Sequence, residues 1–128
     1  MFVSAANSTH TVRWVNALAE RGHEVYLVSN RGHEPKEDAL NSRVKLYLMK
    51  HSGGKGYYLN AGELRKIAKR INPDVINVHY ASGYGTLARK ARLPKYILSV
   101  WGSDVYDFPY ESRVKNHILK RNVRSYRK

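Results

Sequence analysis

Apolar positions along this chain fall into two rhythms. Short, nearly unbroken apolar runs read as β-strands at Phe2 to Ala5, Val25 to Ser29, Val44 to Met49, Val75 to His79 and Tyr96 to Val100. Strands covered on both faces carry such runs, as in a parallel sheet. Between them, apolar residues recur at helical spacing. Val12, Val15, Leu18 and Ala19 form a stripe within His10 to Arg21, and Leu64, Ile67, Ala68 and Ile71 form another within Leu59 to Ile71. Thr86 to Ala91 predicts a shorter helix, and Val114, Ile118, Leu119, Val123 and Tyr126 predict an amphipathic one near the C-terminus. Ser8 or Thr9 is placed to cap the first helix, Gly22 to stop it in a left-handed conformation, and Pro73 to end the second. Arg31 to Arg43 and His51-Ser-Gly-Gly-Lys-Gly56 read as loops. The order β-α-β-β-α-β-α-β-α predicts an α/β domain with three layers, Rossmann-like, on a mostly parallel sheet.

Composition narrows the function classes. At 128 residues and 42% apolar content the chain is expected to form one domain with a single core. It has no cysteine, which excludes a disulfide framework and thiolate metal ligands, and no His, Asp or Glu group shows metal-ligand spacing. No apolar run approaches the roughly 20 residues that span a bilayer, and Met1 to Ala5 lacks the pattern of a signal peptide. These features predict a cytoplasmic chain. The charge departs most from the ordinary: 23 Lys and Arg against 10 Asp and Glu, a net +13. After Glu111 no acid occurs, while Arg113, Lys115, Lys120, Arg121, Arg124, Arg127 and Lys128 follow. This excess fits a solvated helix face or a face turned toward a polyanion, either an anionic membrane or nucleic acid.

Ligands of open parallel sheets bind beyond the carboxyl ends of the strands, where strand order reverses. That rule gathers three loops: Ala6 to His10, Tyr80 to Gly85, and Trp101 to Asp107. The first reads Ala-Asn-Ser-Thr-His and lacks the glycine fingerprint of a dinucleotide site. Gly53-Gly54-Lys55-Gly56 lacks the spacing and the Lys-Ser/Thr ending of a phosphate loop.

The segments THTVRWVNALAERGHEVYLVSN, RKIAKRINPDVINVHYASGYGTLARK and PKYILSVWGSDVYDFP resemble the N-terminal half of a GT-B glycosyltransferase. They are similar in particular to the family 4, or group 1, enzymes that build capsular polysaccharide, lipopolysaccharide O-antigen and other bacterial surface glycans. The resemblance implies one of two Rossmann-like domains facing each other across a cleft. This domain would present a glycan or lipid-linked acceptor, and the other would bind a UDP- or GDP-sugar. It implies hexosyl transfer with retention of configuration and without metal. On this reading residues 1–128 are a single, truncated N-terminal domain without the donor-binding domain, binding no cofactor and inactive alone. The enzyme would sit peripherally at the inner face of the bacterial cell membrane. Two positions depart from the family pattern: Asn7-Ser8-Thr9-His10 replaces a glycine pair, and Trp101 stands where many members have histidine.

With that resemblance the loop residues acquire expected roles. His79 and Asp104 are the candidate catalytic residues, His79 donating to an acceptor hydroxyl or a developing charge. The Asp104 carboxylate either accepts from sugar hydroxyls or caps the following turn. Asn7, Ser8, Thr9, His10, Tyr80, Trp101, Gly102 and Ser103 are the candidate substrate contacts. Trp101 either stacks on a sugar ring or packs between domains, and the α-helix N-terminus at Ser8 to His10 either binds an anion or is simply capped. Arg113, Lys115, Lys120, Arg121 and Arg124 are the candidate membrane contacts. His23, His33, His51 and His117 are expected at the surface. The alternative class is a non-catalytic basic module that binds nucleic acid or another polyanion, although no specific nucleic-acid motif is visible.

Overall fold

Five strands pair in parallel in the order β3-β2-β1-β4-β5: β1 Phe2–Val3, β2 Tyr26–Asn30, β3 Lys45–Met49, β4 Asn77–His79 and β5 Ile97–Ser99. The computed structural model describes residues 1–125, so the expectations placed on Tyr126, Arg127 and Lys128 lie outside the described residues. Seven helices follow the strands: α1 Thr9–Glu20, α2 Gly53–Leu59, α3 Ala61–Ile71, α4 Gly83–Lys90, α5 Ser103–Tyr106, α6 Phe108–Glu111 and α7 Arg113–Ser125, counted among the described residues.

Register decides which side chain meets which layer. Val3 lies beside Val28 and Val78, and these three join Met49, Leu64, Leu87 and Tyr84 in one buried cluster. Phe2 lies beside Leu27, and both join Val15, Ala19, Val25 and Val44 in the other. Alternation along two-residue β1 therefore assigns one side chain to each core, with α1 over one face and α3 and α4 over the other. The α/β, three-layer, Rossmann-like expectation holds.

Local differences have physical causes. On α1 the buried positions are Thr11, Val15 and Ala19, and Val12 and Leu18 are only half-buried. Thr11 can replace an apolar residue because its Oγ1 bonds Ser4 Oγ at 2.6 Å inside the core. Ser8 occupies the N-cap position, but its side chain makes no capping bond. Gly22 stops the helix at φ +88°, as expected. Helix α3 ends on Asn72, left-handed at φ +49°, one residue before Pro73.

The expected loop at His51 to Gly56 is corrected, because Gly53 to Gly56 form the first turn of α2. Gly56 is there for close approach: a Cβ on it would stand 2.7 Å from the His51 carbonyl oxygen. Helices α5 and α6 were not expected. On α7 the inward positions are Leu119 and Asn122, Ile118 and Val123 are half-buried, and Val114 is exposed. Its stripe is therefore narrower than the apolar spacing predicts.

Leu64 is fully buried from α3 between the sheet and α4. Leu64→Ala is expected to cost about 2–5 kcal/mol in urea unfolding, and Val114→Ala, at an exposed position, within about 0.5 kcal/mol. Equal losses at the two sites would refute this assignment of core and surface.

Candidate functional site

Strand order reverses between β1 and β4, and the chain leaves β1 into α1 on one face and β4 into α4 on the other. In open parallel sheets that divergence is where ligands bind, beyond the carboxyl ends of the strands. Three segments meet there.

Asp104, in the first turn of α5, binds the exits of β4 and β5 together. Its Oδ2 accepts the Ala81 N–H at 2.7 Å, and its Oδ1 accepts the N–H groups of Trp101 and Gly102, each at 3.0 Å. Gly102 adopts φ +113° to bring these amides round, a conformation that penalises any Cβ. Asp104 is 2% exposed. Of the two alternatives for Asp104, sugar hydroxyls or the following turn, neither describes the bonds found: both oxygens accept backbone N–H groups of residues that precede it, Ala81, Trp101 and Gly102.

His79, the last residue of β4, is buried at 1% exposure. Its ring meets Phe2 edge-on at 5.4 Å and Trp101 at 5.2 Å with a 60° tilt. Trp101 in turn stacks on His10 at 4.4 Å and 17°. His10 is exposed on the first turn of α1, and Trp101 is half-buried. His79 thus lies under the other two rings instead of opening directly to the crevice. Burial, followed by the nearby His10, lowers its pKa to about 4, which keeps the imidazole neutral at pH 7. Two buried ring nitrogens, His79 Nδ1 and Trp101 Nε1, have no hydrogen-bond partner among the described residues.

Around these rings, Asn7, Thr9 and Ser103 are exposed, and Ser8, Tyr80 and Gly102 are half-buried. Tyr80 sits at φ +72°, an uncommon conformation for a bulky residue. It is held from both sides: its N–H donates to Ser99 O at 2.8 Å and its carbonyl accepts the Gly85 N–H at 2.9 Å.

Sequence reasoning missed Asn122. Its Nδ2 reaches Ala81 O at 2.8 Å, Ser82 O at 3.0 Å and Thr86 Oγ1 at 2.7 Å, and its Oδ1 accepts from Arg89 Nε at 2.8 Å. The available signal was an amide three residues after Leu119 on the inward stripe of an amphipathic helix. The surface expectation for His33 is corrected as well. It is half-buried, with Nδ1 2.5 Å from Tyr84 Oη, which also accepts the Asn30 N–H at 3.1 Å. Burial lowers the pKa of His33 and pushes the Tyr84 phenol up. His51 is half-buried too, its backbone N–H bonded to Asn60 Oδ1 at 2.9 Å, whereas His23 and His117 are exposed.

The basic face lies on α7, whose Asn122 reaches the exit of β4. Arg113, Lys120, Arg121 and Arg124 are exposed on α7, while Lys115 is half-buried, paired with Glu111 and set over the Phe108 ring at 5.4 Å. Tyr106, Tyr110 and Val114 are exposed on the same three consecutive helices, α5 to α7. Among the described residues no helix is long and apolar enough to cross a membrane.

Comparison with known families gives a match of the glycosyl transferase 4-like model to residues 1–128, the whole chain. The search of curated proteins finds no match.

Neutral burial of His79 has a consequence for stability. In the unfolded chain its proton binds near the ordinary 6.5, and in the fold only near 4. The unfolded state thus binds the proton first as pH falls. Stability that is fully present above about 6.5 is lost as pH falls to about 4, on the order of 3 kcal/mol in all. Urea unfolding of His79→Phe is expected to show a flatter pH dependence than wild type across this window. An unchanged slope would mean that His79 carries its proton in the folded protein.

Proposed function

The chain belongs to the glycosyl transferase 4-like family, and on that premise we propose that it is the acceptor-side domain of a two-domain hexosyltransferase. In this reading the enzyme moves a sugar from a UDP- or GDP-linked donor to a glycan or lipid-linked acceptor with retention of configuration, in the synthesis of bacterial surface polysaccharide. The observation that carries it is the cluster of His10, His79 and Trp101, brought from α1, β4 and the exit of β5 to the one place where strand order reverses.

Such a cluster suits a sugar acceptor. Aromatic rings cover the apolar faces of a pyranose, and ring nitrogens meet its hydroxyls. A neutral His79 can position a hydroxyl but supplies no permanent charge, in keeping with a reaction that works by alignment. Asn7, Ser8, Thr9, Tyr80, Gly102 and Ser103 form the rim, where further hydroxyls would be held. Asp104 acts through its neighbours as a positioning residue, since its carboxylate holds the backbone of Ala81, Trp101 and Gly102. The nucleotide-sugar is assigned to the facing domain, and no metal or cofactor is assigned to this one.

The α5–α7 surface extends the reading to a peripheral place at the inner face of the cell membrane. Tyr106, Tyr110 and Val114 offer apolar contact, while Arg113, Lys120, Arg121 and Arg124 offer charge, each cation near an anionic surface contributing roughly 1 kcal/mol. Lys115 contributes less because Glu111 pairs with it.

Saturation-transfer NMR of the 128-residue chain with the methyl α-pyranosides of glucose, mannose and galactose tests the acceptor site. Transfer to at least one sugar is expected, and it should vanish in Trp101→Ala and His10→Ala variants that keep the wild-type amide spectrum. Absence of transfer in wild type would overturn the reading.

Vesicle cosedimentation tests the membrane face. Binding to phosphatidylglycerol vesicles is expected to exceed binding to phosphatidylcholine vesicles, and to fall at high salt and on combined Lys120→Glu and Arg121→Glu substitution. Equal binding to both lipids, or to neither, would remove the membrane from the proposal.

A further inference from the structure

We infer that the edges of His79 and Trp101 form a clamp for one sugar hydroxyl, Trp101 Nε1–H donating to its oxygen while His79 Nδ1 accepts its proton. The inference rests on the acceptor-site reading and specifies how that site recognises its ligand.

Three observations support it. His79 Nδ1 and Trp101 Nε1 are both buried and unpartnered among the described residues. Buried ring nitrogens are rarely left so, because an unpaired one forfeits its hydration without return. The two rings also adjoin edgewise, with centroids 5.2 Å apart at 60°, so both unpaired atoms belong to a single cluster. Finally, His10 stacks on the Trp101 ring at 4.4 Å. The Trp101 face under His10 is already occupied, so recognition at the indole edge does not compete with that stack.

Donor and acceptor chemistry then selects the ligand group. An indole N–H only donates. A neutral imidazole whose proton is on Nε2 accepts at Nδ1, and the low pKa of His79 keeps it neutral. A hydroxyl accepts and donates at once and satisfies both. A phosphodiester or a fully ionised phosphate monoester has no proton to give Nδ1, and an ammonium cannot accept from the indole. The frame is fixed in advance. The Trp101 and Gly102 N–H groups are held by Asp104, and the Tyr80 N–H is held by Ser99 O.

The chain has two tryptophans, Trp14 and Trp101, so its indole N–H signals in a 15N spectrum are assigned by one Trp101→Phe variant. Titration with the three methyl pyranosides is expected to move the Trp101 signal downfield and leave that of Trp14 in place. Long-range imidazole spectra should show His79 Nδ1 as an unprotonated acceptor. Trp101→Phe and His79→Phe should each weaken binding about tenfold, with the double variant little weaker than either, because both hold the same hydroxyl. If sugars bind yet the Trp101 signal stays put, or the two losses simply multiply, the clamp is wrong and the acceptor site stands. If no sugar binds, both fall together. If inorganic phosphate moves the Trp101 signal and sugars do not, the site takes an oxyanion and the hydroxyl clamp is overturned. Should Trp101→Phe unfold, Trp14→Phe at an exposed position makes the same assignment, and the wild-type indole response still decides.

Discussion

Ala81 is the residue on which the carboxyl edge of the sheet depends, although its side chain is a single methyl. Its N–H is held by Asp104 Oδ2 at 2.7 Å, and its carbonyl by Asn122 Nδ2 at 2.8 Å. Strand β4 pairs for only three residues, so the chain leaves the ladder with backbone groups that still need partners. Here those partners are side chains 23 and 41 residues further along the sequence. The grip places His79 on one side of Ala81 and the start of α4 on the other. Through the same Asp104 carboxylate it places Trp101 as well. The ring cluster is thus a consequence of backbone satisfaction.

A second group of rings occupies the same edge, above the other core. Tyr84 meets Tyr57 edge-on at 5.3 Å and bonds His33 Nδ1 at 2.5 Å. Gly83 makes this packing possible, because a Cβ there would lie 2.5 Å from Tyr57 Cζ. Each core therefore ends, at the carboxyl edge, in aromatic rings that carry a polar tip. Apolar bodies continue the hydrophobic layer outward, and their nitrogens and hydroxyls sit within it beneath the surface. In one group the phenol is bonded to His33 and to the Asn30 N–H, and the unpaired atom beside it is an amide nitrogen, Asn30 Nδ2. The other keeps two ring nitrogens unpaired.

Much of the fold was legible because parallel strands and amphipathic helices impose periods on the sequence. Val25 to Ser29 and Leu64, Ile67 and Ala68 announced β2 and α3 directly. What stayed hidden was polar satisfaction. Thr11 sits in the core because Ser4, seven residues earlier, supplies its bond, and no local pattern marks that pair. Gly53-Gly54-Lys55-Gly56 looks like a loop by propensity, yet it is helical, and at Gly56 the chain passes too close to the His51 carbonyl for any side chain. At the site, the three loops were found from the strand-order rule alone. The function of Asp104 was not, because a carboxylate reads the same in sequence whether it faces ligand or backbone amides. Asn122 was missed for a related reason: Ala81, Ser82, Thr86 and Arg89, which it bonds, come from a different part of the chain.

Helix α7 joins the charge of the chain to this edge. Among the described residues the ion pairs are Lys45 with Glu24 and Lys115 with Glu111, so most of the cationic surplus remains unneutralised by the fold itself. On α7 the inward positions Leu119 and Asn122 face the body of the domain, while Lys120, Arg121 and Arg124 face outward. The helix that presents the cations is therefore the helix whose amide holds Ala81 and Ser82 at the exit of β4. A flexible basic tail would attract a polyanion without fixing where it lies. A helix bonded at its inner face to the candidate site fixes both distance and orientation, so in the proposed reading a membrane carrying the acceptor is held in register with the rings of His10, His79 and Trp101.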